Sequence, residues 1–305
     1  MSELSLTVGL VPRGSSRSTP MKESASQRPL LVVAHPGHEL RVHGWLESVK
    51  PVVWILTDGS GHTKHSRINS STRVLEAAGA VRGSVYGRFT DQALYDAVLG
   101  FHHHRFIDLV DELVEALISY GGGFIAGDAE EGYNPAHDIC RLVINAAVAR
   151  VNNKSKTKIA NYDFGLVGSP SRCQEKLLKD SLWLNLDDAA FARKLAAARN
   201  YPELQSEVES ALNGFDRFEF RKQPDLAQRA RSEYGITEVS DFRTECLRPV
   251  NLSTSWTNQS NGDIPFYESY GEKQVKAGHY SRVLRYREHV IPLSVALNAH
   301  VERTN

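Results

Sequence analysis

Leu30-Leu31-Val32-Val33-Ala34-His35-Pro36-Gly37-His38-Glu39 is the stretch on which the fold turns. Its first five residues are apolar, β-branched at the centre, and show no polar alternation. That pattern reads as a strand buried on both faces, the kind found in parallel sheets. Pro36 and Gly37 then break the run, and Pro36 favours extended backbone at His35. Residues 38–49 follow with Val42, Trp45, Leu46 and Val49 at helical spacing. Pro51-Val52-Val53-Trp54-Ile55-Leu56 is a second apolar strand, closing on Thr57-Asp58-Gly59-Ser60-Gly61. Strand, helix and strand within about 30 residues make a βαβ unit.

The same alternation continues outward. Arg73 to Ala80 reads as a helix and Val85-Tyr86-Gly87 as a weak strand. Residues 106–119 place Ile107, Val110, Leu113, Val114 and Leu117 on one helical face. Phe124-Ile125-Ala126 is a short buried strand. Asn134-Pro135 has the form of an N-cap followed by a first-turn proline, opening a helix that carries Ile139, Leu142, Val143, Ala146 and Ala147. Alternating strands and helices imply an α/β sandwich around a mostly parallel sheet. Residues 174–235 read as charged and largely helical, and residues 236–265 as loop-rich, with Ser, Thr and Asn crowded between Asn251 and Gly262. Residues 29–165 are therefore assigned to an α/β domain and residues 166–305 to a helical and loop-rich C-terminal extension. Residues 1–28 lack any sustained period, and Leu10-Val11-Pro12-Arg13-Gly14-Ser15 has the form of a thrombin site. They are read as a flexible leader or tag outside the fold.

Composition narrows the function. The chain has 305 residues, of which 41% are hydrophobic and 24% charged, enough for a packed core. Lys plus Arg equals Asp plus Glu at 36 each, so the formal net charge is zero. A nucleic-acid partner is not expected, because phosphate neutralisation needs a basic excess. Cys140, Cys173 and Cys246 have no CxxC spacing and make no disulfide framework, which points to a reducing compartment and a cytoplasmic location. No apolar run is long enough to span a membrane. A homo-oligomer is left open.

In open parallel sheets, ligands bind beyond the carboxyl ends of the strands. After the first strand stand His35 and His38, with Glu39 beside them. After the second stands Asp58. After the Phe124 strand stand Asp128 and Glu131, then Asn134 and His137. Three histidines and several carboxylates thus fall on one sheet edge. Three protein ligands with one open position is the layout of a catalytic zinc site. Each residue also has a plainer reading: an isolated HxxH can be a helix start, and Asn134 and Asp138 suit helix capping. His102-His103-His104 reads as an exposed polar turn, and His43 as a packed side chain on its helix.

At this point the chain resembles the LmbE-like (PIG-L) zinc de-N-acetylases. Ala34-His35-Pro36-Gly37-His38-Glu39 is similar to their opening A-H-P-D-D-E signature, and Leu56-Thr57-Asp58-Gly59 to their second-strand ending. Arg73 to Ala80 is similar to their R-x-x-E-x-x-x-A helix. Gly87-Arg88-Phe89-Thr90-Asp91 stands where they have a Gly and an Asp, and Asn134-Pro135-Ala136-His137 where they have H-P-D-H. The resemblance spans about residues 29–150. It implies a Rossmann-like domain with Zn2+ held by His35, His38 and His137, the middle ligand changed from Asp to His. It also places Gly37 where the family has its general base, and Asn134 where it has a His near the developing oxyanion.

Two expectations follow. The first is a zinc-dependent hydrolase that removes an acyl group, acetyl in particular, from an N-acylated sugar or related small metabolite. Three neutral imidazoles leave more charge on zinc than a His–Asp–His set, which favours acidification of a bound water. Asp128, then Glu131, are the favoured replacement bases, with Asp58 and Glu39 behind them. Asn134 can donate to an oxyanion. Arg73 holds a polar substrate group or pairs with Glu76, and loop 59–70, with His62, Lys64, His65 and Arg67, covers the mouth. The second expectation is a non-hydrolytic zinc- or small-molecule-binding protein, because loss of a general base costs about a hundred- to ten-thousandfold in rate.

Overall fold

The computed structural model describes residues 28–304 apart from 62–63, 121–122, 157, 207, 210–237 and 252–263. The leader, His62, most of the Ser- and Asn-rich stretch after Asn251 and the second half of the 174–235 segment lie outside the described residues.

Among the described residues, seven strands form one sheet and eight segments are α-helices. In chain order they are β1 (Leu30–Val33), β2 (Val52–Thr57), β3 (Val81–Phe89), β4 (Phe124–Asp128), β5 (Ala160–Phe164), β6 (Leu182–Asn185) and β7 (Thr244–Pro249). Their order across the sheet is β3-β2-β1-β4-β5-β7-β6. The first five are parallel, whereas β7 runs antiparallel to β5 and β6 antiparallel to β7. The eight α-helices are α1 (His43–Val49), α2 (Ile68–Ala78), α3 (Asp91–Leu99), α4 (His104–Tyr120), α5 (Pro135–Lys154), α6 (Asp188–Arg199), α7 (Phe266–Lys276) and α8 (Ile291–Arg303). The α/β sheet and the helical C-terminus agree with the sequence reading. Strands β7 and β6, from beyond residue 165, extend that sheet by two antiparallel strands, with β6 at its edge.

Alternation along the strands divides the core into two layers. Leu30, Val32, Val52, Trp54 and Leu56 face α4, α5 and α8, joining Leu113, Ile144, Leu293 and Leu297. Leu31, Val33, Val53 and Ile55 face α1 and α2, joining Leu46, Leu75 and Tyr201. Because β1 and β2 are covered on both faces, they read as unbroken apolar runs.

Local signals set the helix ends. Asn134 Oδ1 accepts the Ala136 N–H at 2.9 Å, and Pro135 occupies the first turn of α5. Thr90 caps α3 and Asp187 caps α6 in the same way. Gly79, at φ 71°, stops α2 in the left-handed region. Three readings are corrected. The expected helix over 38–49 is a 3-10 turn, His38–Val42, followed by α1. The helix expected from Arg73 begins at Ile68. The weak strand at Val85–Gly87 is the nine-residue β3, disguised because most of it is not buried and only Val85 and Phe89 are fully inward.

Strands leave β1 toward β2 and β3 on one side and toward β4 and β5 on the other. The order reverses between β1 and β4, and in open parallel sheets the carboxyl ends of the strands at such a reversal are where a ligand crevice forms.

Candidate functional site

His35 and His38 leave the end of β1, and His137 lies in the first turn of α5, immediately after the loop that follows β4. The three rings meet edge to edge. Ring centres are 5.3 Å apart for His35–His38, 5.3 Å for His35–His137 and 4.6 Å for His38–His137, with interplanar angles of 85°, 70° and 88°.

Each ring is held differently. His35 Nδ1 lies 2.7 Å from Thr57 Oγ1 and 3.0 Å from Asp91 Oδ1. The Thr57 contact is the aligned hydrogen bond, and Asp91 Oδ1 is an electrostatic neighbour off the donor direction. A proton on Nδ1 points at Thr57 Oγ1 and leaves Nε2 its lone pair, and that buried Nε2 has no hydrogen-bond partner. His38 Nδ1 donates to Asp128 Oδ2 at 2.9 Å, a tautomer assigned from the hydrogen-bond pattern. The same Asp128 oxygen accepts the Ala34 N–H at 2.7 Å, so one carboxylate fastens β1 to β4 and orients a ring. His137 is buried, and its Nδ1 has no partner.

Electrostatics keep two of these rings neutral. Burial lowers the His38 pKa, and Asp128 offsets this only in part. Burial, reinforced by the neighbouring His38 and His35, lowers His137 well below the usual imidazole range. For Asp91 burial works against the charged form, but the adjacent His35, with help from Thr57 and the Gly61 amide, holds the carboxyl down at about 2. Two neutral imidazoles and buried nitrogens without partners are a donor set short of an electrophile, since buried polar atoms are normally paired.

The ring spacing is compatible with a shared zinc ion. With Zn–N bonds of about 2.1 Å and tetrahedral angles, ligating imidazoles have centres about 5 Å apart, which is the spacing seen. Carboxylates behind two of the rings are the usual outer support of metal-bound histidine. Among the described residues no group of three His, Cys, Asp or Glu side chains already stands ready to hold an ion. The spacing of the rings is nevertheless that of imidazoles sharing one ion, and His35 Nε2 and His137 Nδ1 are without hydrogen-bond partners.

The other residues singled out in the sequence divide into those at the centre and those beside it. Asp128 is fully buried at the end of β4, and its second oxygen, Oδ1, has no partner. Asn134 Oδ1 accepts both the Ala136 N–H and, at 3.0 Å, the Tyr95 hydroxyl, which directs its amide N–H2 elsewhere as a donor. Glu131 accepts the Leu166 N–H at 3.0 Å and the Val167 N–H at 3.2 Å, so it secures the loop after β5; burial raises its pKa. Asp58 turns back on its own loop to accept the Ser60 N–H at 3.0 Å. Glu39 is fully buried and accepts from Gly37 N–H and the Ser71 hydroxyl, which makes it an internal brace away from solvent. Arg73 is exposed and donates to Ser70 Oγ at 2.9 Å. Lys64 and His65 are exposed on the 59–70 loop, His43 is buried, and His102 and His104 are exposed in the turn before α4.

Two contributors are given no role by the sequence. Asp91, at the start of α3, reaches His35; the motif resemblance includes its position but assigns it no task. The turn Pro202–Leu204, from the C-terminal extension, lies against the His35–His38 loop: a side chain at Gly37 would overlap Leu204 Cδ1. Gly37 itself has φ 105°, a conformation that other residues rarely adopt.

Comparison with known proteins adds the following. No family model matches the chain, and no curated protein matches it. Among solved structures, the pseudoaglycone deacetylase of the antimicrobial A40926 is similar over 75% of this chain and 99% of its own, at 15% identity and a TM-score of 0.46. A deacetylase of teicoplanin biosynthesis, solved with teicoplanin, is similar over 73% and 98%, at 10% identity and a TM-score of 0.45. A zinc-inhibited teicoplanin deacetylase is similar over 72% and 97%, at 11% identity and a TM-score of 0.42.

Proposed function

We propose that this protein is a zinc-dependent hydrolase that removes an acyl group from an N-acylated sugar or related small metabolite. The observation that carries the reading is the meeting of His35, His38 and His137 at the β1/β4 strand ends with buried ring nitrogens left unpartnered. The ordered motif resemblance along residues 29–150 supports the same reading. Zinc bound there would polarise the amide carbonyl and make an attacking water more acidic.

The chain's own groups supply the rest. Asp128 holds His38 through Oδ2, and its unpartnered Oδ1 is the carboxylate oxygen at the centre able to take a proton from water. Asp91 and Thr57 fix His35, so two of the three rings are oriented before a ligand arrives. The Asn134 amide N–H2, freed by the engagement of its oxygen, can donate to charge developing on the amide oxygen.

A second reading, a binding protein without turnover, is favoured by one specific observation. Glu131, Asp58 and Glu39 are all committed to backbone amides, and Gly37 offers no side chain. Elemental analysis of purified protein, followed by deacylation assays on N-acetylated sugars, separates the readings. The hydrolase reading expects about one zinc per chain, its loss in His137→Ala, and acetate release by wild type that Asp128→Asn abolishes. Stoichiometric zinc without acetate release from any N-acyl sugar leaves the binding protein. Absence of bound metal in wild type, after loading with zinc, removes the hydrolase and leaves only a metal-free small-molecule-binding protein.

A further inference from the structure

The His35 and His38 rings have polar neighbours in Thr57, Asp91 and Asp128, whereas the space a side chain at Gly37 would take is filled by Leu204. Gly37 sits between His35 and His38 in the chain, and its amide points into the brace, donating to Glu39 Oε2 at 2.7 Å and Ser71 Oγ at 3.2 Å. The direction a side chain would take is filled from outside. A Cβ there would overlap Leu204 Cδ1 and come 3.6 Å from Leu204 Cγ and 3.8 Å from Tyr201 Cζ.

This filling is anchored. Tyr201 is fully buried, lies 3.0 Å from Ser71 Oγ through its hydroxyl, and donates to the Arg67 carbonyl at 3.2 Å. Glu203 Oε2 accepts the Ser70 hydroxyl at 2.6 Å, and the Leu204 N–H closes the turn on the Tyr201 carbonyl at 3.1 Å. Leu204 is half-buried, so part of its side chain remains open beyond the Gly37 contact. A branched aliphatic group is thus fixed against the loop that joins two of the three imidazoles.

An N-acyl sugar is polar almost everywhere except at its acyl chain. Hydroxyl groups find no donor or acceptor on a leucine side chain, whereas an acyl methyl does not need one. We propose that Leu204 is a specificity-determining residue: it forms the wall against which the acyl group rests, and it restricts the site to short acyl chains. The inference builds on the hydrolase reading above and names which end of the substrate faces the C-terminal extension.

The test compares zinc-loaded full-length wild type with Leu204→Ala and the milder Leu204→Val. Two quantities are read: kcat/KM for N-acetyl- and N-butyrylglucosamine, and equilibrium binding of acetate and butyrate by calorimetry. Wild type is expected to favour the acetyl substrate and acetate. Leu204→Ala is expected to move both ratios toward the four-carbon ligand by about tenfold or more, the usual worth of a methylene or two in an apolar pocket. Leu204→Val should move them less in the same direction. Acetyl hydrolysis with ratios unchanged in both variants overturns the wall and leaves the hydrolase standing. Ratios of bound acids that shift with Leu204, without hydrolysis of any sugar, uphold the wall and overturn turnover. No binding of either acid by any of the proteins overturns the wall.

Discussion

Asp128 performs two tasks with one oxygen atom: it accepts the Ala34 N–H and the His38 Nδ1–H. Asp128→Asn keeps the size and one acceptor but removes the charge behind the ring. Zinc affinity should fall about 10- to 100-fold, the usual effect of losing an outer-shell carboxylate, which competition with a chromophoric chelator would measure. Asp91 gives a prediction in pH. Its folded pKa of about 2 lies below the ordinary value of 3.8, so its contribution is complete above about pH 4 and disappears as pH falls through 2. In metal-free protein, Asp91→Asn should therefore lower stability by on the order of 1–2 kcal/mol near neutrality, with the difference from wild type vanishing toward pH 2. Urea unfolding at pH 6, 4 and 2.5 checks this, and a constant difference would contradict it. At this scale the histidines were legible because each follows a strand that advertises itself. Asp91 was not, since a carboxylate at a helix start looks like a cap until the fold brings His35 to it.

Elements show a different division. Strands β1, β2 and β4 could be read because both their faces are covered and their residues are nearly all apolar. Strands β6 and β7 could not, because Leu182–Asn185 and Thr244–Pro249 find each other across some sixty residues, and short segments carry little periodicity. Yet β7 carries an important tie. Glu245 is fully buried, accepts the Gly44 and Trp45 N–H groups at 2.9 Å each, and pairs with Lys194 Nζ at 2.8 Å. One carboxylate therefore caps α1 and neutralises a buried ammonium from α6. Glu245→Ala leaves two amides without partners and that charge without its counter-ion, held only by the Arg41 carbonyl at 3.0 Å. It should destabilise the protein by about 3–5 kcal/mol in denaturant unfolding, far beyond an exposed pair such as Arg243–Asp188. Double replacement with Lys194→Met should recover much of the loss, since the lone buried charge goes with it.

For the molecule as a whole, the sheet does not stop where the sequence resemblance fades. Val290, Leu293, Leu297 and Val301 belong to the same apolar layer as Leu30 and Val32, and β7 covers the edge of β5. Asp111 further joins α4 to Arg150 on α5 and, at 2.7 Å, to His300 on α8. A protein ending at residue 165 should expose this layer and an unpaired strand edge. We expect it to lose near-ultraviolet circular dichroism and to bind hydrophobic dyes, or to aggregate. Cooperative unfolding of such a fragment would show that residues 29–165 are self-sufficient. The sequence resemblance fades after about residue 150, which is a different matter from where the core ends.

The fastening of Ala34 N–H to Asp128 has a mechanical corollary. The bond lies across the mouth where two strands diverge, and its acceptor also steers an imidazole. Prising the strand tips apart would therefore tilt that ring, and pinning the ring would resist the prising. Solvent exchange of a single amide proton, on Ala34, is then a gauge of ion occupancy: slow when the centre is loaded, quicker once a chelator has stripped it.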